Sequence, residues 1–361
     1  MISVLRLAVP VAFAIVQPGG APMPDLQPTK LWRPFKITEQ EEVRSIVRHR
    51  DGRLFTAGNT HSKAAGSHYW VGEISTDGKK LWGQSFVASN QERINDIALT
   101  YDQLLFIAGE RYVGGYQGWL VKCSLDGRKI FEKTFGALGA RGITTLSSII
   151  SAGQGCYILA GRSDSDAYLV KIDQSGKTLW EKRYGHYKDD WIIAGIPYRE
   201  DHFLFASVCG EFNKFGQGKS KVWLFECDGS GKLLREFGTA GHISPGASAI
   251  ATLGDRVFLG LSTTQFPERD YWVYELSSGL REKWKLQFGN EKMAFSTPSI
   301  YRLPNNQLLL SWTARNKLFI ECLSDEGKRL ADQVIDGAEG VYVPQDGQPP
   351  KLFLKEITMG P

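Results

Sequence analysis

An all-β fold assembled from repeated four-stranded units is predicted by three observations. An aromatic-centred hairpin recurs with a period near 49 residues, glycine and a second aromatic hold constant offsets within it, and no helical hydrophobic periodicity separates the copies. Composition agrees. The 361 residues are 42% hydrophobic and 23% charged, with 39 Gly and 10 Trp, so many turns accompany large flat side chains suited to strands.

The repeat is plainest at residues 166–185, DAYLVKIDQSGKTLWEKRYG: an apolar run, an Asp-x-x-Gly turn, and a second run closing on Trp180. Aligned on Tyr168, its relatives centre on Trp70, Trp119, Trp223, Trp272 and Phe319, with successive spacings of 49, 49, 55, 49 and 47 residues. Eight residues on stands Gly78, Gly127, Gly176, Gly231 or Gly327, where a tight turn needs positive φ. Twelve residues on stands Trp82, Phe131, Trp180 or Trp284, while the fourth and sixth units lack the aromatic.

A second hairpin completes each unit. After WLVKC (119–123) and KIFEKTF (129–135) come RGITTLSSII (141–150), a turn at Gly153–Gly155, and CYILAG (156–161). Four short strands per unit make one propeller blade. Outer strands number seven: Leu31–Ile37 and those near 80, 129, 178, 232, 282 and 328. The prediction is a seven-bladed β-propeller of four-stranded antiparallel blades over residues 28–361. KLFLKEITMG (351–360) ends where TKLWRPF (29–35) would continue it, so the N-terminal strand is expected to close the last blade against 351–357 and hide its edge. That blade is expected to be one strand short.

The run L-V-K-I-D-x-x-G-K-x-L-W at 169–180 resembles the tryptophan-bearing repeat of the bacterial quinoprotein-like β-propellers and related secreted propellers, from about residue 30 onward. The resemblance implies that the Trp-bearing strand is outermost and that Trp82, Phe131, Trp180 and Trp284 wedge between blades. It does not carry the quinone-dependent activity over. The vicinal cysteines that accompany that cofactor are missing from the sequence, and no cofactor is expected.

Residues 1–24 read as a signal peptide or a disordered N-terminal segment. One early Arg precedes an apolar stretch from Leu7 to Val16, too short to span a bilayer, and no Cys follows for a lipid anchor. Periplasmic or secreted location is the expectation, with a cytoplasmic one as its alternative. The net charge of +4, without a Lys/Arg cluster, gives no reason to expect nucleic acid. Five scattered cysteines without C-x-x-C read as buried free thiols.

Catalytic and metal motifs are sparse. GQGKS (216–220) imitates a phosphate loop, but the following KVWLFEC is a strand and offers no helix N-terminus. SDSD (163–166) lacks the Gly and Glu of a calcium loop and reads as a solvated turn. The six histidines read as neutral surface residues. The acidic pairs Glu41-Glu42 and Asp189-Asp190 open innermost strands and read as water-facing lining of the channel mouth. No catalytic or metal-binding residue is assigned.

Function is expected on the face formed by second-to-third strand turns and outer-to-inner connections, where loops are longer. Arg111, Tyr112, Tyr116, His186, Tyr187, Trp191, Phe212 and Phe215 gather there, and aromatic residues with Arg are the usual interface anchors. GEFNKFGQGKS (210–220) is the longest insertion and explains the 55-residue spacing. The expected function is a non-catalytic, monomeric scaffold binding a protein or small ligand. The alternative is a hydrolase or lyase acting on a carbohydrate or small substrate over the central channel.

Overall fold

The computed structural model describes residues 30–36, 41–62, 66–75, 80–86, 92–136, 142–185, 188–212, 218–239, 243–263, 271–288, 299–302, 306–314, 317–336, 338–345 and 348–356. Every regular element among them is a β-strand. The first sheet holds β1 (Lys30–Lys36), β2 (Glu41–Arg48), β3 (Leu54–Ser62), β4 (Gly66–Ile74) and β5 (Lys80–Phe86). The second holds β6 (Glu92–Leu99), β7 (Leu105–Tyr112), β8 (Tyr116–Cys123) and β9 (Lys129–Phe135). The third holds β10 (Thr144–Ser151), β11 (Cys156–Ser163), β12 (Asp166–Asp173) and β13 (Thr178–Tyr184). The fourth holds β14 (Asp189–Arg199), β15 (His202–Phe212), β16 (Gly218–Asp228) and β17 (Leu233–Gly238). β18 (Ile243–Leu253), β19 (Arg256–Thr263), β20 (Tyr271–Leu276) and β21 (Glu282–Phe288) form the fifth. β22 (Ser299–Arg302), β23 (Leu308–Ala314), β24 (Lys317–Leu323) and β25 (Arg329–Asp336) form the sixth. A two-stranded sheet of β26 (Ala338–Gln345) and β27 (Gln348–Glu356) ends the chain.

Six antiparallel meanders, five of four strands and the first extended to five by β1, run in sequence order without helices among the described residues and are consistent with a β-propeller. Three details differ from the sequence expectation. β1 pairs antiparallel with β2, the innermost strand of blade 1, through Phe35↔Val43 and Lys36↔Glu42, and not with 351–357. The physical reason is chain length. Only residues 37–40 separate β1 from β2, so that pairing closes a far shorter loop than a ring closure over some 300 residues. The last sheet also stops at two strands, β26 and β27, so it is shorter than predicted. The 210–220 insertion differs as well. Gly210↔Ser220, Glu211↔Lys219 and Phe212↔Gly218 extend the β15–β16 ribbon, so most of it is paired strand rather than loop.

The core is a series of slabs, one between each pair of blades. Val47, Phe55, Tyr69 and Val71 of blade 1 meet Ile94, Ile107, Trp119 and Val121 of blade 2. Phe106 and Leu120 meet Leu146, Tyr157 and Tyr168, and the pattern continues through blades 4, 5 and 6. Period-2 alternation produces this, because successive residues of a strand face opposite neighbouring blades. Each large buried side chain contributes about 1.5–3 kcal/mol through burial.

The repeated turn and the repeated aromatic fit each other. In blade 3, Asp173 Oδ1 accepts from the Ser175 and Lys177 amides at 2.8 and 3.0 Å, and Gly176 closes the turn at φ 81°. A Cβ at Gly176 would meet the Phe131 ring of blade 2 at 2.8 Å. The same contact recurs between Trp82 and Gly127, Trp180 and Gly231, and Trp284 and Gly327, at 3.1, 3.0 and 2.9 Å. The outer aromatics are therefore inter-blade wedges seated over the next blade's glycine. In the fourth unit Arg235 stands in the wedge position, donating to Glu226 of its own blade at 2.9 Å and to the Ser278 carbonyl of the next at 3.5 Å.

Nearer the axis, hydrogen bonds tie neighbouring inner strands together. β2, β6, β10 and β14 each carry a bulge, at 43–45, 94–96, 146–148 and 192–194. Beside these bulges, buried Asp96 of blade 2 accepts from Ser45 Oγ of blade 1 at 2.7 Å and from the Ile149 amide of blade 3 at 2.9 Å. Asn95 Nδ2 donates to the Leu146 carbonyl at 2.9 Å, and Ser147 Oγ to the Ile192 carbonyl of blade 4 at 2.5 Å.

Candidate functional site

The β7–β8 hairpin builds the centre of the site. Tyr112 ends β7 and Tyr116 begins β8, and the two pair directly across the ribbon. Their connection is Val113-Gly114-Gly115, closed by Val113 N–H donating to the Gly115 carbonyl at 3.0 Å, with Gly114 at φ 67°. The direct pairing brings the tyrosine rings to 5.3 Å in an edge-to-face arrangement at 68°, a favoured aromatic geometry.

Blade 3 completes the surface. Ile143 forms a parallel bridge with Tyr116 and is clamped by the β11–β12 turn. The Asp164 amide donates to the Ile143 carbonyl at 2.6 Å, and the Ile143 amide donates to Asp164 Oδ1 at 3.3 Å. Asp164 sits at φ 53°, a conformation that Asp tolerates better than most residues. The result is a patch of Tyr112, Val113, Tyr116 and Ile143, exposed by 45, 56, 37 and 41%. Four large apolar side chains this open on two adjacent connections form one exposed apolar patch rather than isolated exposure.

Trp191 lies on the neighbouring innermost strand, β14, and is 37% exposed. Its strand is stitched to the β11–β12 turn, because the Asp190 amide donates to the Ser165 carbonyl at 2.7 Å and Arg162 Nη2 to Asp189 Oδ1 at 2.9 Å. Arg183 pairs with Asp164 at 3.3 Å, so these charges beside the patch are paired with opposite ones. Arg111 points to the other flank of the hairpin, where it pairs with Glu132 of its own blade at 3.4 Å and lies over the Trp119 ring at 5.8 Å. Phe212 closes β15 opposite Gly218. His186, Tyr187 and Phe215 lie outside the described residues.

Thus the structure brings together Tyr112 and Tyr116 from the sequence-based set and adds Val113 and Ile143. Val113 was legible as a branched apolar residue placed at the tip before Gly-Gly, where solvent-facing turns are usually polar. Ile143 was not, because its position depends on a contact with another hairpin.

The acidic pair Asp189-Asp190 does not form an open carboxylate site. Asp190 is buried rather than lining a wet channel mouth, and Asp189 is ion-paired. The cause is the inward alternation of the strand: Glu92, which opens β6 as Asp190 opens the buried part of β14, is buried too. His49 and His68 are likewise buried, contrary to the surface reading, with Asp51 2.8 Å from His49 and Glu92 4.0 Å from His68. All five cysteines are free, and burial pushes the thiols of Cys123, Cys209 and Cys227 up to about 12, so they stay protonated at neutral pH. Among the described residues no group of three or more His, Cys, Asp or Glu is placed to hold a metal ion, and no helix is long and apolar enough to cross a membrane.

Glu110, beside the patch on β7, is the carboxylate here whose burial raises its pKa, opposed by Arg93 with its guanidinium 3.9 Å away. A raised pKa means that the folded chain holds this proton to higher pH than the unfolded chain does. Stability therefore falls as pH rises from the ordinary carboxylate range through the raised value. Glu110→Gln removes that fall. Its stability relative to the native chain is expected to improve between pH 4 and pH 7, read from urea midpoints, and a difference independent of pH would refute the assignment.

No protein-family model matches the chain, and no curated protein matches it. Solved structures do. A chain from the complex of Drosophila Plexin A with Semaphorin 1b is 8% identical, with 86% of this chain and 80% of that one covered at a TM-score of 0.50. Kuenenia stuttgartiensis hydrazine synthase is 11% identical, with 87% and 95% covered at 0.54. The WD40 domain of Toxoplasma gondii coronin is 11% identical, with 79% and 68% covered at 0.48. At such identities the likeness concerns fold alone, and it agrees with the strand topology: the chain is all-β and of the β-propeller type.

Proposed function

We propose that this chain is a non-catalytic scaffold, working outside the cytoplasm as a monomer, that binds a protein partner through its β7–β8 face. The observation that carries the reading is the Tyr112, Val113, Tyr116 and Ile143 patch, held rigid by cross-strand pairing and by the Asp164 clamp. Aromatic rings that are already fixed lose little side-chain entropy on binding, so a few can supply most of an affinity. Trp191 extends this surface, and His186, Tyr187, Phe212 and Phe215, assigned from the sequence, are further contacts in this reading. The matched charges nearby leave shape and apolar area, rather than net charge, as the basis of recognition. In this reading the chain is a relative of the quinoprotein-like propellers, on the resemblance of its repeat, and β26 with β27 would begin a seventh blade.

The test is co-purification from an envelope fraction with the chain carrying Tyr112→Ser and Tyr116→Ser together, beside Asp51→Ser on the opposite face as control. The double variant is expected to lose about tenfold or more of the partner retained by the native chain, as hot-spot removal does. Equal loss in the Asp51 control, or full retention by the double variant, would show that this face is not the binding surface.

A further inference from the structure

The opposite flank of the same hairpin presents a second site, at the junction of blades 1 and 2. Tyr69 on β4 and Trp119 on β8 are both fully buried, with ring centroids 4.6 Å apart at 86°. Tyr69 also stacks on Phe86 at 4.9 Å, which fixes its ring plane. Arg111 covers Trp119, and Glu92 stands directly across from Arg111 in the β6–β7 ladder. Glu132 reaches Arg111 at 3.4 Å, and His68 Nδ1 lies 4.0 Å from Glu92 Oε2.

Four polar atoms of this small region are buried without a hydrogen-bond partner among the described residues: His68 Nδ1, Tyr69 Oη, Arg111 Nε and Trp119 Nε1. Each such atom loses its hydration without compensation if nothing satisfies it. Their concentration at one junction therefore calls for a guest. Trp119 Nε1 and Arg111 Nε can only donate, whereas Tyr69 Oη donates or accepts. An anion would bind against the carboxylates of Glu92 and Glu132. A cation would bind against the Arg111 guanidinium and the Trp119 N–H. A hydroxyl satisfies both halves, because it accepts from the two N–H groups and donates to the phenol oxygen or a carboxylate. Burial and the charges of Glu132 and Glu92 keep the Tyr69 phenol protonated far above neutral pH, so it is available as a donor.

We propose that this junction is a binding site for an uncharged hydroxyl-bearing guest, an ordered water or a hydroxyl of a polyol or sugar, held between Tyr69, Arg111 and Trp119. The site is independent of the aromatic patch, since the two lie on opposite flanks of β7–β8. A guest here ties the two blades together through side chains that otherwise meet only by packing.

Crystals of the full chain grown without polyol, then soaked in glucose, test this directly. The expected result is an oxygen within roughly 3.2 Å of both Tyr69 Oη and Trp119 Nε1 before soaking. Its replacement by a glucose hydroxyl identifies a sugar subsite, and its persistence identifies water. An empty junction, or density of halide or metal height, overturns the proposal. Tyr69→Phe gives a second readout, because it deletes only the hydroxyl. Its unfolding constant is expected to rise about fivefold, the loss of one net hydrogen bond. An unchanged or lower unfolding constant would mean that the hydroxyl had no guest, and would overturn the proposal equally.

Discussion

Asp96→Ala is expected to lower the unfolding free energy by about 4 kcal/mol, the largest effect of any single polar replacement in the inner strands. Asp96 is buried and accepts from three blades at once: Ser45 Oγ at 2.7 Å, its own neighbour's Ile97 amide at 3.0 Å, and the Ile149 amide at 2.9 Å. Alanine strands the Ser45 hydroxyl and the Ile149 N–H in a dry interior, and each stranded donor costs about 1–3 kcal/mol. Asp96→Asn retains one acceptor oxygen, so it is expected to cost about half as much. Guanidinium unfolding with an unchanged m-value would measure both. A cost below about 1 kcal/mol for Asp96→Ala would show that water or a neighbour replaces the carboxylate, and that the inner belt does not join the blades.

Trp180→Ala is expected to cost about 3 kcal/mol, the lower end of the range for Trp→Ala because the ring is only partly covered. The ring sits over Gly231, where a Cβ would approach it to 3.0 Å, and its Nε1 donates to the Gly229 carbonyl at 3.0 Å. Trp180→Phe keeps most of the packing and loses the hydrogen bond, for about 1 kcal/mol. The pair of variants separates wedge from hydrogen bond in one denaturation series. If Trp180→Ala proved neutral, the outer aromatics would be surface rings available for a ligand, and the inter-blade reading would be wrong. Partner binding by the folded fraction is expected to be unchanged, since Trp180 lies on an outer strand away from the tyrosine patch.

Both predictions bear on where sequence reasoning reached and where it stopped. Trp180 and Gly176 were legible because they obey constant offsets within a repeat, and those offsets are set by strand length and turn type, which are local. Leu280 shows how far the local demand extends. It occupies the glycine position of the fifth unit and still adopts φ 57°, so the turn geometry persists where the residue does not favour it. Asp96 was not legible. Its partners lie 51 and 53 residues away, and nothing in its immediate sequence distinguishes it from a surface aspartate.

The strand pattern and the meander order were thus determined by the sequence alone, because period-2 alternation and turn chemistry act within a single unit, whereas the wedge role of the aromatics was expected only from the resemblance of the repeat. The tertiary structure decided what depends on contacts between units. It placed β1 against β2 instead of β27, since a four-residue connection costs less entropy to close than a whole ring. It buried Asp190 and Glu92 where alternation turned them inward, and it carried Ile143 from a distant connection to the side of Tyr116. A binding surface shared by two blades has no sequence signature, because its residues are neighbours only after each blade has packed on the next.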